Sequence, residues 1–138
     1  MAFEHTLIFE THPAIPFTVA DGTGITKGAL LKMTDPMTAI INSGSQDVIA
    51  GVAKTDKIAS DGVTKLAVYR RGIFKGTISG SVTVGDPLVT STTVNHLATA
   101  LNANMIQLSG SKIVGVALET GTTGETILYE LNPQFGLG

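Results

Sequence analysis

The three histidines are the side chains of this sequence best suited to metal or acid–base chemistry. They are His5, His12 and His96. Glu10 alone stands at the spacing of two that would place it with His12 on one face of a strand. Pro13 follows directly and would disturb the backbone of a ligand pair. We therefore interpret Glu10 and His12 as neighbouring surface groups and predict no metal site.

The potential nucleophiles and carboxylates occur in turn sequences. The chain contains no Gly-x-Ser-x-Gly motif and no cysteine, so serine-elbow chemistry, thiolate ligands and disulfides are not expected. Asp61 precedes Gly62 and Asp86 precedes Pro87, both settings typical of turns. The segments 22–24 (GTG) and 121–124 (GTTG) lack the helix and the lysine of a phosphate-binding loop. We predict no catalytic residue and no cofactor.

The charge balance excludes several classes of partner. Nine Lys and Arg face eleven Asp and Glu, for a net charge of −2, and no run of like charges is present to bind nucleic-acid phosphates. No apolar stretch approaches the ~20 residues of a membrane helix. Only 14% of residues are charged and the mean hydropathy is +0.30. This is typical either of a Thr-rich β-protein or of a surface covered by other chains.

Two groups of residues are candidates for contacts with another chain. The first is an apolar N-terminal arm, residues 1–13, in which the prolines at 13 and 16 hinder direct continuation into a core strand. Its apolar side chains are Phe3, Leu7, Ile8 and Phe9. The second is the basic pair Arg70 and Arg71, which suits either the guard of an edge strand or an acidic partner surface.

The elements that must position these residues follow an order that occurs twice. Segments 25–31 (ITKGALL) and 49–53 (IAGVA) of the first half correspond to 82–88 (VTVGDPL) and 113–117 (IVGVA) of the second. In each half a Gly-containing turn and a short β-branched or aromatic segment follow. This order predicts two similar halves, related by a pseudo-twofold rotation, with the glycines of each pair in matching strand contexts.

The fold class predicted from these patterns is all-β. Short β-branched runs between Gly, Asp and Asn turns extend along the whole chain, which has the usual length of one domain. We expect the arm at 1–13 and a single compact β-barrel domain at 14–138. Residues 95–104 remain open: an Asn cap and an Ala/Leu run favour a short helix, whereas the matching position of the first half favours a strand.

The ordered motifs resemble those of the tailed-phage head decoration proteins, also called capsid cement proteins. The similarity covers about residues 15–132 and rests on the ordered segments 27–32 (KGALLK), 49–53 (IAGVA), 72–74 (GIF), 84–88 (VGDPL) and 114–119 (VGVALE). The resemblance implies a β-barrel or β-tulip subunit outside an icosahedral head. It would bind the major capsid protein and copies of itself, as a trimer or less favourably a dimer, and stabilise the shell after expansion.

The resemblance also implies the location, which is the exterior of the virion capsid after synthesis in the host cytoplasm. Other functions remain as alternatives. A head-fibre or host-binding and carbohydrate-binding β-module is the second interpretation, although only 5% of residues are aromatic and Trp is absent. A trimeric nucleotide hydrolase is the third, but the acidic and tyrosine motifs of such a site are not visible. Phe3, Leu7, Ile8, Phe9, Arg70 and Arg71 are the predicted contact residues.

Overall fold

A computed structural model describes residues 4–35, 37–42, 44, 48–99 and 113–132. Every regular element in these ranges is a β-strand, which confirms the all-β prediction. The strands are β1 (Thr6–Phe9), β2 (Ile15–Thr18), β3 (Leu30–Asp35), β4 (Thr38–Ile41), β5 (Ile49–Ala53), β6 (Lys65–Tyr69), β7 (Gly72–Ile78), β8 (Pro87–Thr90), β9 (His96–Thr99), β10 (Gly115–Ala117) and β11 (Thr126–Leu131). Over residues 96–99 the ambiguous segment is a strand, and residues 100–104 lie outside the described ranges.

The first half of the chain closes into a five-stranded barrel, in the order β2-β4-β3-β5-β6. Strand β6 shows which side chains line the interior. Leu66 and Val68 are buried inside the barrel, whereas Tyr69 points away from it. Strand β5 is buried at all five positions, as its continuous apolar sequence predicts for a strand covered on both faces. This strand is therefore in contact both with the barrel interior and with another part of the molecule.

The second half repeats the same topology. Strands β7, β9, β8, β10 and β11 pair in the order of β2, β4, β3, β5 and β6, and the β7–β9 pairing closes the barrel. Each barrel contains one parallel pair, β2–β4 in the first and β7–β9 in the second, and all other pairs are antiparallel. Strand β1 adds to the outer edge of β7. Each half thus forms its own closed barrel, a division that the motif order alone does not specify.

The glycine pairs named by the sequence occupy matching places. The N–H of Gly28 donates to the Ala53 carbonyl over 2.9 Å, and the N–H of Gly85 donates to the Ala117 carbonyl over 2.8 Å. Gly51 pairs with the first-barrel strand β3 as Gly115 pairs with β8. A methyl group on Gly51 would collide with the Tyr69 carbonyl oxygen, and one on Gly115 with the Glu130 carbonyl oxygen. The two halves are therefore equivalent strand by strand.

The two barrels pack through unlike faces, which corrects the expected pseudo-twofold relation. Four buried residues on the outside of the first barrel join the core cluster of the second: Leu30, Ile49, Val52 and Tyr69. Their counterparts in the second barrel, by strand register, are Pro87, Ile113, Val116 and Glu130, and none of these joins either core cluster. A twofold axis would bury both sets alike. The halves share a fold, but they meet head to tail.

Candidate functional site

The N-terminal arm forms part of the second barrel. Strand β1 pairs antiparallel with β7, Thr6 opposite Lys75 and Leu7 opposite Phe74. Leu7 packs against the core cluster of that barrel. Ile8 and Phe9 remain 40% and 66% exposed. The arm therefore has one side chain in its own core and two available for contact with another chain, while Phe3 lies outside the described residues.

His5 anchors the arm, a role that the sequence did not indicate. Its ring is fully buried, with Nε2 2.9 Å from the Asn95 carbonyl oxygen and Nδ1 2.6 Å from the Tyr129 hydroxyl. Because a carbonyl can only accept, Nε2 carries the proton, and the Tyr129 O–H donates to Nδ1. Burial lowers the pKa of His5 to about 4, so the ring is neutral at physiological pH.

Glycine at position 76 makes room for this ring. A methyl group there would lie 2.5 Å from His5 Nδ1, and the first-barrel counterpart of Gly76 is Phe17, a core residue. In the first barrel the Phe17 side chain fills this space. In the second barrel His5 and Tyr129 fill it. A histidine in the arm and a glycine 71 residues away give no local sequence signal of this contact.

The structure separates the roles of the basic pair. The Arg70 guanidinium Nη1 donates to the carbonyl oxygens of Ile49 and Ala50, at 3.3 and 3.2 Å. Burial, together with the charge of Arg71, lowers the pKa of Arg70. Arg71 is exposed, and the next residue, Gly72, lies against the Phe9 carbonyl. Phe9 pairs with Ile73, two residues after Arg71, so both Phe9 and Arg71 lie at the start of β7, while Arg70 has a structural role.

A buried ammonium group holds the loops of the first barrel, and sequence reasoning did not identify it. The Lys57 side chain is fully buried; its Nζ is 2.9 Å from an Asp61 carboxylate oxygen and 3.4 Å from one of Asp21. It also donates to the carbonyls of Asp21 and Ile58. Burial alone would lower the pKa of Lys57, but these hydrogen bonds and charges outweigh it and raise the pKa. The ion pair lowers the pKa of Asp61.

Asp61 and Asp86 have the turn roles expected of them. Asp61 accepts from the Val63 N–H at 2.9 Å and Asp86 from the Thr83 N–H at 3.0 Å, each within its own connection. Asp56 instead accepts from the Lys27 N–H at 2.6 Å, in another connection of the first barrel. No carboxylate among these three is arranged as a general acid or base toward a second one.

A groove of about 630 Å³ lies where β1 meets the first barrel. Lys27, Lys54 and Glu4 line it together with the apolar side chains of Leu7 and Val52. Within the described ranges, no group of three or more His, Asp or Glu side chains is placed to hold a metal ion. The described chain also contains no helix of the length and hydropathy that a membrane span requires. The groove offers charge and apolar surface.

Two closed all-β barrels with short Gly and Asp turns and exposed apolar residues on the edge strand define this chain as a compact β-barrel module. Residues 9–131 match the family model of the phage cement protein. The chain belongs to this family. It is therefore a structural protein of a phage capsid, and it stabilises the capsid as a cement protein.

The solved structures that share the architecture include the head fibre gp8.5 N base of bacteriophage phi29, similar with a TM-score of 0.54 and 16% sequence identity over 88% of this chain and 96% of that one. At this identity the likeness concerns the fold alone. A search among curated proteins found no match.

Proposed function

We propose that this protein binds the outer surface of an icosahedral phage head after expansion, through direct contact with the major capsid protein. The observation that carries the proposal is the exposed pair Ile8 and Phe9 on a strand that is itself fixed in the second barrel. A side chain held on a rigid strand loses little conformational freedom when it docks. Arg71 beside them supplies a charge for an acidic patch of the shell.

The proposed contact set differs from the sequence-based one. Ile8, Phe9 and Arg71 carry it, because Leu7 packs in the core and the Arg70 guanidinium is bound to backbone carbonyls. Phe3 stays a prediction, since it lies outside the described residues. The arm-and-domain division at residue 13 also stays a prediction, and β1 links the two parts.

The location we propose is the virion exterior, with synthesis in the host cytoplasm. We further propose that the protein acts as a homo-oligomer, with a trimer favoured over a dimer, and without catalytic activity, direct nucleic-acid binding or membrane binding. Support comes from the family and from the low charge density. Purified protein should therefore not hydrolyse nucleotides.

The experiment is a titration of undecorated, expanded heads with purified protein. Binding should saturate at a fixed number of copies per head. Deleting residues 1–12 is unsuitable as a test because it would remove His5 and β1 from the second barrel. Phe9→Ser is the appropriate variant: burying a phenylalanine contributes about 2 kcal/mol, so its loss should weaken binding roughly 30-fold.

Ile58→Ser is the matched control, because Ile58 is 72% exposed and belongs to the first barrel. It should bind heads like the unmodified protein. Equal affinity of Phe9→Ser and Ile58→Ser would show that the arm is not the contact. Failure of the unmodified protein to bind heads at all would contradict the proposed function itself.

A carbohydrate-binding or host-binding role receives less support. Such sites use exposed aromatic side chains. Among the aromatic residues that the structure describes, Phe9 is exposed, whereas Phe17, Phe74, Tyr69 and Tyr129 are buried. A single exposed ring does not form a sugar-binding platform.

A further inference from the structure

The joint between the two barrels uses two surfaces that differ from each other. The outer face of the first barrel is formed by Leu30, Ile49, Val52 and Tyr69. The receiving corner of the second barrel is formed by Phe74 and Asn95. The Tyr69 and Phe74 rings lie 5.8 Å apart, and the Leu30 N–H donates to the Asn95 side-chain oxygen over 2.9 Å. Each barrel therefore contributes a different surface to this joint.

Because the barrels are equivalent strand by strand, each surface has a counterpart on the other barrel. The outer face of the second barrel contains Pro87, Val116 and Glu130, by the register of β8, β10 and β11. Ile113 on this face is buried, Pro87 and Val116 are half-buried, and Glu130 is exposed. At the first-barrel positions that match Phe74 and Asn95 stand Ile15 and Met37, which are 36% and 45% exposed. Both counterparts leave apolar side chains in water.

The hydrogen-bonding pair of the internal joint is replaced on both counterpart surfaces. In the internal joint a backbone N–H of Leu30 meets an amide side chain of Asn95. At the matching positions Pro87 has no N–H and Met37 has no acceptor amide, so this pair leaves no polar group without a partner if the two surfaces meet. Met37 and Asn95 both have positive φ, of 53° and 64°, so the corner itself has the same backbone shape. The Pro87 and Met37 positions are thus compatible, while Glu130 takes the place on the outer face that Tyr69 has in the internal joint.

We propose that the outer face of the second barrel docks onto the receiving corner of the first barrel of another copy of this chain. Repeating the internal joint between molecules places the end of β11 in one copy beside the start of β2 in the next. A head-to-tail contact of this kind closes into a ring or extends as a filament. We assign the closed ring, in which each copy contributes two barrels. This inference deepens the self-association in the proposed function and does not depend on head binding.

Two single substitutions test the two surfaces separately. Val116→Lys places a charge in the outer face of the second barrel, and the new side chain stands opposite Glu130 on the neighbouring strand, so the barrel itself should tolerate it. Met37→Lys places a charge on the exposed receiving corner. Ile58→Lys is the matched control, an exposed apolar residue on neither surface. Circular dichroism verifies that each variant is folded.

Light scattering after size exclusion measures the assembly. We expect one closed oligomer for the unmodified protein and the control, and a monomer for each of the two variants. An equimolar mixture of Val116→Lys and Met37→Lys should form a dimer and nothing larger, because only one intact pair of surfaces remains. In an isologous joint both copies contribute the same surface. Each variant would then carry its own damage into a mixed pair, and mixing would not restore assembly.

A monomeric unmodified protein, an oligomer that survives Val116→Lys or Met37→Lys, or a mixture that stays monomeric would each overturn the proposal. The head titration separates this result from the proposed function. A monomer that still saturates heads contradicts the ring and leaves the cement role intact. A ring that fails to bind heads supports the head-to-tail contact and contradicts the proposed head binding.

Discussion

At the scale of single residues, two buried polar side chains, one in each barrel, join distant segments of the chain. His5 joins the arm to the second barrel through Tyr129 and Asn95, and Lys57 joins the loops of the first barrel through Asp21 and Asp61. Both are satisfied by hydrogen bonds, as buried polar groups must be. They differ in charge: the imidazole is neutral, whereas the ammonium is paired. Each makes stability depend on pH in its own range.

The first prediction is that His5 makes the protein less stable in mild acid. The unfolded chain binds a proton at this histidine below its ordinary pKa of 6.5, but the folded protein binds one only below about 4. Unfolding takes up a proton between these values, so stability falls as the pH decreases from 6.5 to 4, by about 3 kcal/mol in total. Urea unfolding at pH 7 and pH 5 measures the change.

His5→Gln is the comparison variant, since an amide cannot take up the proton. Its stability at pH 7 should be lower because the Tyr129 bond is lost, but its loss between pH 7 and pH 5 should be smaller. Equal losses in both proteins would show that His5 is not the titrating group.

The second prediction concerns Lys57. Its ammonium lowers the pKa of Asp61, so the ion pair contributes stability that is present above the unfolded-state value of 3.8 and is lost as the pH falls through the folded-state pKa. Lys57→Met should be less stable at pH 7 and should lose less stability on acidification. Thermal unfolding across this range tests it, with Lys27→Met, an exposed lysine, as control. A variant as stable as the control would contradict the structural role of the ion pair.

At the scale of elements, the central strands of both barrels depend on a close backbone approach. Gly51 in β5 and Gly115 in β10 lie against the carbonyl of the neighbouring strand, with no space for a methyl group. The register of β3 with β5 shifts at this position, as at a β-bulge. The same glycine in both halves is therefore a requirement of the barrel.

The third prediction follows from this approach. Gly51→Ala and Gly115→Ala should each reduce the free energy of unfolding by at least about 2 kcal/mol, because strand separation or strain must absorb the methyl group. Gly22→Ala is the control, since a methyl group there meets no atom within 4 Å. Chemical denaturation compares the three. Destabilisation at only one of the two sites would contradict the equivalence of the strands.

At the scale of the whole molecule, the two barrels share one core cluster. Leu30, Ile49, Val52 and Tyr69 of the first barrel pack with the interior of the second, and β1 runs along the same joint. Removing the second barrel would expose these four side chains to water. Each barrel therefore closes by its own strand pairings, but the stability of each depends on its contact with the other.

The fourth prediction is a single cooperative unfolding transition. The calorimetric enthalpy should equal the van't Hoff enthalpy, and circular dichroism should give the same midpoint. Val52→Asp, which places a charge in the joint, should lower the midpoint for both barrels together. Two resolved transitions in the unmodified protein would show that the joint does not couple them.

The sequence by itself determined the fold class, the duplication and the family. These follow from local information: alternating apolar residues specify strands, glycines with fixed neighbours specify turns and bulges, and their order recurs in both halves. Residues 95–104 were left open between helix and strand, and residues 96–99 form a strand, like β4 at the matching place of the first half. The turn roles of Asp61 and Asp86 were predicted for the same local reason.

Only the tertiary structure decided which residues remain available for contact. Leu7 and Phe9 have similar sequence signals and would share a face of β1 in regular alternation, but the register of β1 with β7 shifts between them, so that one packs in the core and the other stays in water. Arg70 and Arg71 separate in the same way. The pairing of His5 with Gly76 and Tyr129, and the head-to-tail meeting of the barrels, depend on contacts between distant segments. Local sequence patterns carry no information about such contacts, because burial is a property of the assembled barrels.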